Sequence, residues 1–306
     1  MPIDFKSDPT TKPGEAEPLS PLVTRVLAPN PGPYTHTGTG TFLIGRTRLA
    51  VIDPGPAIPD HGAALLHAIG GRAVSHILVT HTHLDHSPLS RWLAERTGAP
   101  ILAFGPHGSG RRAASALMNG AGGEKLEAGV DTAFVPDVTV ADGTIIDGPD
   151  WTIHALHTPG HTSNHLCFHL TEEDTLFTGD HVMGWATSVI IPPDGDMRAY
   201  LASLERLIAL APTLLRPTHG PAVESPARFM RAIVGHRRMR EGQIVAQLQA
   251  GVAVIPAMVE AMYRQIDSRL LPAAALSVLA HLIALCEEGR VAADPAPGLN
   301  ARYRLI

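Results

Sequence analysis

The sequence predicts an α+β fold in which two mixed sheets pack face to face with helices outside, followed by a small helical module of winged-helix type. Three observations predict it. Strand-like and helical segments alternate without the regular rhythm of a doubly wound fold, and the conspicuous histidines and aspartates fall at strand ends or in the loops after them. Composition changes near Ser225, beyond which three helical segments precede a terminal hairpin. At 306 residues the chain is long enough for a large domain plus a small one. The expected division is an arm at 1–20, a large domain at 21–224 and the winged-helix-like domain at 225–306.

From Leu22 to Asp53, short aliphatic and β-branched runs alternate with turn residues, Thr41-Phe42-Leu43-Ile44-Gly45 and Leu49-Ala50-Val51-Ile52-Asp53-Pro54-Gly55 among them. This is the mark of antiparallel strands. Asp60 to Ile69 has helical spacing and stops at Gly70-Gly71, and Ile77-Leu78-Val79-Thr80 reads as a short buried strand. Ser87 to Thr97 is helical and Ile101 to Phe104 a strand. Thr144 to Leu156 holds two strands about Gly148-Pro149-Asp150, Leu166 to Leu170 and Thr175 to Thr178 make a hairpin pair, and Ala199 to Leu210 is a helix with an apolar stripe. Pro226 to Gln249 is a long Arg-rich helix, Val254 to Ile266 and Pro272 to Glu288 are two more, and Gly289 to Ile306 is a hairpin turning through Pro295 to Gly298. Residues 1–20 carry Pro2, Pro9, Pro13 and Pro18 among charged and small residues and are expected as an arm without a packed element.

A 44% hydrophobic, 17% charged composition is that of a globular protein rather than a disordered one. The formal net charge of −5 does not invite nucleic acid, although the part from Ser225 onward carries ten arginines against six acidic residues. With no apolar leader and no run of about 18 apolar residues, the expectation is a cytoplasmic protein with no membrane partner. The two cysteines, Cys167 and Cys286, read as buried small hydrophobes rather than a disulfide.

The segment His81-Thr82-His83-Leu84-Asp85-His86 directly follows the apolar run at 77–80, where a turn can fold four potential ligands toward one point, with Leu84 turning back into the core. His161, Asp180 and His219 also stand at strand ends downstream. Imidazole and carboxylate are zinc's ordinary ligands, and seven of them suffice for two divalent cations if one carboxylate bridges. Zinc is the expected metal, with iron or manganese as alternatives. His36, His107, His154, His157, His165, His169 and His181 lack such spaced partners and read as surface or core residues. His36 and His181 are kept as candidates for a substrate pocket. Asp53 either orients loops or a ligand histidine, or simply initiates a turn. Arg231, Arg237, Arg238 and Arg240 read as a solvated or salt-bridging helix face.

The pattern HxHxDH followed by a later His, an Asp and a last His resembles the metallo-β-lactamase superfamily. That resemblance implies a four-layer αββα sandwich in which His81, His83 and His161 hold one metal, Asp85, His86 and His219 the other, and Asp180 bridges. Asn30-Pro31-Gly32-Pro33-Tyr34-Thr35, Gly38-Thr39-Gly40-Thr41, Ile52-Asp53-Pro54-Gly55 and the segment from His236-Arg237 to Arg240-Glu241 are similar to the branch that contains β-lactamase-like endoribonucleases, with a C-terminal winged-helix domain, and to glyoxalase-II-like hydrolases. Gly40, His36 and Ser87-Pro88-Leu89 depart from the branch's usual residues without touching a ligand.

Two cations about 3.5–4 Å apart activate a shared water for attack on a carbonyl or phosphorus, and Asp85 keeps an oxygen to orient that water or carry its proton. The acidic large domain favours a small acyl substrate, a thioester, lactone or ester. Single-stranded RNA is the rival substrate, and a mononuclear iron persulfide dioxygenase the second alternative. A DNA-binding ligand sensor would need a basic recognition helix, which Val254 to Ile266, with Arg264 alone, does not supply. Oligomer formation is compatible with the sequence and not required by it.

Overall fold

The computed structural model describes residues 3–7, 11–112, 129–263 and 270–306. Seven strands form the first sheet in sequential order: β1 (Ala16–Pro18), β2 (Val23–Leu27), β3 (Gly40–Ile44), β4 (Arg48–Ile52), β5 (Ala73–Leu78), β6 (Ile101–Ala103) and β7 (Val138–Thr139). The first four pair antiparallel, and β5, β6 and β7 continue in parallel. The second sheet has the order β12-β11-β10-β9-β8, from β8 (Ile145–Asp147), β9 (Thr152–His157), β10 (Leu166–Leu170), β11 (Thr175–Gly179) and β12 (Leu214–Pro217). Only its β11–β12 pair is parallel.

Every residue of β3 is buried, as a strand with both faces covered requires. The alternation of side chains decides which layer each serves. Phe42, Ile44, Ala50 and Ile52 point between the sheets, where they meet Trp151, Ile153, Phe168 and Phe177. Leu43, Leu49 and Val51 point the other way, against α1 (Pro59–Ile69) and α2 (Leu89–Thr97). The outer face of the second sheet is covered by α3 (Met197–Leu210) and the first half of α4 (Pro226–Gln249), through Tyr200, Leu204, Phe229 and Ile233. The result is the four-layer αββα arrangement.

The second half of α4 packs Ile244 and Leu248 into a separate core with α5 (Ile255–Met262), α6 (Leu271–Glu287) and the hairpin β13 (Val291–Asp294) and β14 (Arg302–Leu305). Three helices and a hairpin make the expected winged-helix domain. The expected helix from Val254 ends at Met262, and its remainder from Arg264 lies outside the described residues, as do Pro2 and Pro9. Among the described residues no helix is long and apolar enough to cross a membrane.

The N-terminal arm needs correction. Ala16–Pro18 form an edge strand on β2, clamped where Arg25 donates to Glu17 at 2.8 Å. An edge strand tolerates a proline because its outward N–H has no ladder partner to lose, so the prolines did not preclude pairing. Phe5 lies edge-on to Phe229 of α4. Cys167 is buried and Cys286 only partly so, and both are free thiols.

His281 of α6 is 2% exposed, with both ring nitrogens buried and unpartnered. Burial, then the neighbouring Arg237, pushes its pKa down to about 3. The unfolded chain binds this proton near pH 6.5 and the folded chain only near 3, so stability is full at neutral pH and drains away as pH falls below about 6.5. Replacing His281 with Leu is expected to remove about 1–2 kcal/mol of the loss in unfolding free energy between pH 8 and pH 5. Urea unfolding of both proteins at the two pH values measures it; identical pH differences would refute the assignment.

Candidate metal centre

The seven expected residues converge at one end of the sandwich, beyond the C-terminal ends of β5, β9, β11 and β12. The loop after β5 brings His81, His83, Asp85 and His86, the β9–β10 loop His161, the residue after β11 Asp180, and the loop after β12 His219. Ligand atoms of His81, His83, His161 and Asp180 all lie within 4.8 Å of one another, and so do those of Asp85, His86 and His219. The two groups can therefore bind metal ions.

The geometry within each group is that of lone pairs sharing a focus. His83 Nδ1 stands 3.0 Å from both His81 Nε2 and His161 Nε2. His219 Nε2 lies 3.0 Å from Asp85 Oδ2 and 3.3 Å from Asp180 Oδ1, and His86 Nε2 lies 3.5 Å from Asp180 Oδ1. Asp180 faces both groups, since its Oδ2 is 3.7 Å from His161 Nε2.

Outer nitrogens are anchored instead. His81 Nδ1 meets Thr80 Oγ1 at 3.0 Å, His86 Nδ1 meets Asp53 Oδ2 at 2.9 Å, His161 Nδ1 meets the Val189 carbonyl at 2.7 Å and His219 Nδ1 meets the Gly38 carbonyl at 3.1 Å. Fixing one ring nitrogen on an oxygen aims the other, which is how metal-binding histidines are oriented. His86 Nε2, His219 Nε2 and Asp180 Oδ1 are buried and, though close to one another, make no well-directed hydrogen bond, a costly arrangement unless a cation completes it.

Electrostatics agree. Burial, then the charges of the neighbouring histidines, holds His81 far below the ordinary histidine range, and His83 falls to about 3 for the same reasons, so both present neutral imidazoles. Burial would lower His219 too, but Asp180 and Asp85 outweigh it and push it up to about 10. Burial would raise the carboxyls of Asp85 and Asp180, yet His86 and His219 hold both well below the usual carboxylate range. One group thus offers neutral imidazole lone pairs and the other ionised carboxylates beside its histidines, and both are the forms that ligate cations.

Asp53 settles between its two expected roles. It is fully buried, with a left-handed φ of 49° at the end of β4, and it orients His86 while accepting from the Thr80 backbone N–H at 2.7 Å, Thr80 Oγ1 at 2.7 Å and Thr218 Oγ1 at 3.2 Å. Leu84 does not turn into the core. It is 50% exposed beside the site, because Leu84 N donates to the Gly129 carbonyl and the turn leaves its side chain outside. His181 is fully buried against Tyr200 and His165. His36 stacks on Trp185 with ring centroids 4.8 Å apart.

Several contributors were not among the candidate site residues. Thr39 donates to Asp85 at 3.3 Å and is held at both its N–H and its hydroxyl by Asn30. His107 borders the His83–His161 group, with Thr82 Oγ1 3.5 Å from its Nδ1. Beyond Ser188 and Val189, which back His161, lies a largely apolar cleft of about 330 Å³.

The loop bearing His161 depends on Gly160. Its φ is +151°, and a Cβ there would sit 2.4 Å from the Cα of Tyr200 at the start of α3. Gly160→Ala is expected to cost about 3 kcal/mol from steric overlap plus backbone strain. A chemical-denaturation midpoint unchanged from wild type would refute this.

The metallo-beta-lactamase superfamily model matches residues 35–219, and the beta-lactamase associated winged helix domain model matches 255–298. The lactamase-like protein adaB of Aspergillus niger is 29% identical over 92% of this chain and 86% of its own length. The atrochrysone carboxyl ACP thioesterase of Aspergillus terreus is 30% identical over 80% of this chain and 69% of its own. Among solved structures, a beta-lactamase domain protein from Burkholderia ambifaria superposes with a TM-score of 0.76 at 22% identity, over 99% of this chain and 97% of that one. Fold, paired ligand groups and family models concur: the chain belongs to the metallo-beta-lactamase superfamily, its large domain followed by the winged helix associated with that family.

Proposed function

We propose that this superfamily hydrolase holds two divalent cations, zinc first among them, through His81, His83, Asp85, His86, His161, Asp180 and His219, and cleaves a thioester of a small acyl substrate, with lactones and esters as related substrates. The observation that carries the reading is the placement of two ligand groups beside a largely apolar cleft, separated from it by Ser188 and Val189. The thioesterase names of relatives from Aspergillus terreus and Claviceps purpurea point the same way. The cleft sets two arginines, Arg237 and Arg240, in a largely apolar lining of about 330 Å³, which suits a small substrate better than the extended basic track of a single-stranded RNA site. The expected boundary at 224/225 marks where α4 begins, but the first half of that helix packs on the large domain and only its second half joins the C-terminal core.

The donor set fits. His81 Nε2, His83 Nδ1 and His161 Nε2 would hold one cation, Asp85, His86 and His219 the other, and Asp180 would face both. Bound there, the cations supply Lewis-acid activation of a water and of the substrate carbonyl. Asp85, partly exposed and steadied by Thr39, orients the water and takes its proton. As the water oxygen bonds to the carbonyl carbon and the C–S bond breaks, the proton held on the Asp85 carboxyl passes to the leaving sulfur. The anchors on His161, His86 and His219 keep the ligand nitrogens from rearranging during this exchange.

The test is a chelator-stripped protein reloaded with zinc, iron or manganese and given acyl thioesters, lactones, a phosphodiester and labelled single-stranded RNA, with metal content measured on each sample. Metal-dependent thioester hydrolysis at two metals per chain is expected. RNA cleavage without thioester turnover would replace this reading with the nuclease, and one iron per chain with oxygen uptake on a persulfide would replace it with the dioxygenase.

A further inference from the structure

The cleft beyond Val189 contains more polar chemistry than an aliphatic chain needs. Trp185, Arg237, Arg240, His236 and Tyr263 line it, together with Tyr34. Four nitrogens of these residues are buried without a hydrogen-bond partner: Trp185 Nε1, Arg237 Nε, Arg240 Nε and His236 Nδ1. Indole and guanidinium nitrogens only donate, so at least three of the four call for an acceptor. No carboxylate stands among the described lining residues.

Helical spacing puts His236, Arg237 and Arg240 on one side of α4. Arg237 is 3% exposed, lies over the Tyr200 ring and donates to the Ser188 carbonyl, the residue whose hydroxyl is 3.3 Å from His161 Nδ1. Arg240 lies 4.4 Å over the Tyr263 ring and spends one donor on Gln243. Burial and these two guanidiniums push His236 down to about 4, so the imidazole remains neutral and the excess positive charge is that of the arginines. The lining also offers a flat face in Trp185, on which His36 stacks at an interplanar angle of 15°.

We infer that this cleft takes a planar, negatively charged part of the thioester substrate, its anion set against Arg240 and the buried Arg237 and its flat face against Trp185. The inference rests on the thioesterase reading and narrows it: a plain fatty acyl chain would leave the two guanidinium charges of the lining without a counter-charge. The anion could be carried by the acyl group as a carboxylate or by the thiol as phosphate. Arg237 also braces the segment behind His161, so Arg240 is the residue to change.

Three substrates separate the sources: the N-acetylcysteamine thioesters of 4-carboxybenzoate and 4-methylbenzoate, and 4-methylbenzoyl-coenzyme A. In metal-loaded Arg240→Met, KM for an anionic substrate is expected to rise about tenfold relative to KM for the neutral N-acetylcysteamine thioester, as loss of a charge-assisted contact requires, with kcat changing less. Arg240→Lys should recover part of the effect. A rise confined to the carboxybenzoyl arm places the anion on the acyl group, and one confined to the coenzyme A arm places it on the thiol. Equal changes in all three arms overturn the inference.

Calorimetric binding of terephthalate to the metal-loaded proteins gives a readout independent of turnover. About tenfold weaker binding in Arg240→Met is expected; equal binding counts against the anion site. If no thioester turns over while terephthalate binding depends on Arg240, the hydrolytic reading fails and the anion site stands.

Discussion

Asp180→Ala lowers metal-dependent thioester hydrolysis by about a thousandfold or more and leaves the purified protein without its full complement of cations; that is the expected result. The reason is position. Asp180 is the carboxylate that faces both ligand groups, with Oδ1 at 3.3 Å and 3.5 Å from His219 and His86 and Oδ2 at 3.7 Å from His161. Removing it withdraws negative charge from both groups at once, and His86 and His219 keep Asp85 but lose the second carboxylate that favours positive charge beside them. Atomic emission on dialysed protein and initial rates on a thioester measure the two losses together. His81→Ala, which removes one imidazole from a single group, should follow the same direction. Full activity with two metals in Asp180→Ala would show that the seven residues do not form the reacting centre.

The second large effect is expected at a residue that touches no substrate. Asp53 accepts two hydrogen bonds from Thr80 and one each from Thr218 and His86, all within the buried interior. Asp53→Ala leaves those donors without their acceptor, and the expected cost is about 3–5 kcal/mol of unfolding free energy in the metal-free protein. Asp53→Asn is the informative partner because it preserves shape. Its amide can turn only one oxygen to the four donors, so the His86 ring loses its fixed orientation, and cation affinity at the group containing Asp85 and His219 should fall about 10- to 100-fold. Competition with a chromophoric chelator would resolve that group from the His81 group, whose anchors are different. Identical affinities in wild type and Asp53→Asn would mean that His86 is positioned by its packing alone.

How legible all this was depended on whether the signal was local. The HxHxDH segment, the apolar run before it, His161 and Asp180 could be read because each follows a strand whose own pattern is clear, whereas His219 was read from its place in the ordered His and Asp series and not from its strand. The strands β1, β7 and β12 escaped for lack of such pattern: β7 is two exposed residues, β1 is three residues ending in proline, and β12 ends in proline beside an interior arginine. Leu84 went wrong because an apolar residue inside a ligand-bearing turn has no strand or helix to fix its side.

The arginines of α4 were misjudged as one face. At 100° per residue Arg231 and Arg238 share one side, where both are exposed and Arg238 pairs with Glu205. Arg237 and Arg240 share another and turn to the cleft. Periodicity could have separated these pairs. It could not have shown that Trp185, Tyr34 and Tyr263, drawn from three distant stretches of chain, meet in one place, since only tertiary packing brings them together.

Helix α4 has a mechanical consequence. Its first half closes the outer face of the second sheet, its second half belongs to the winged helix, and Arg237 between them grips the segment that backs His161. A rod embedded in two cores transmits the loosening of either to the other, so the two parts should melt in one transition, and a chain cut before Pro226 would lose a wall of the catalytic layer as well as its appendage.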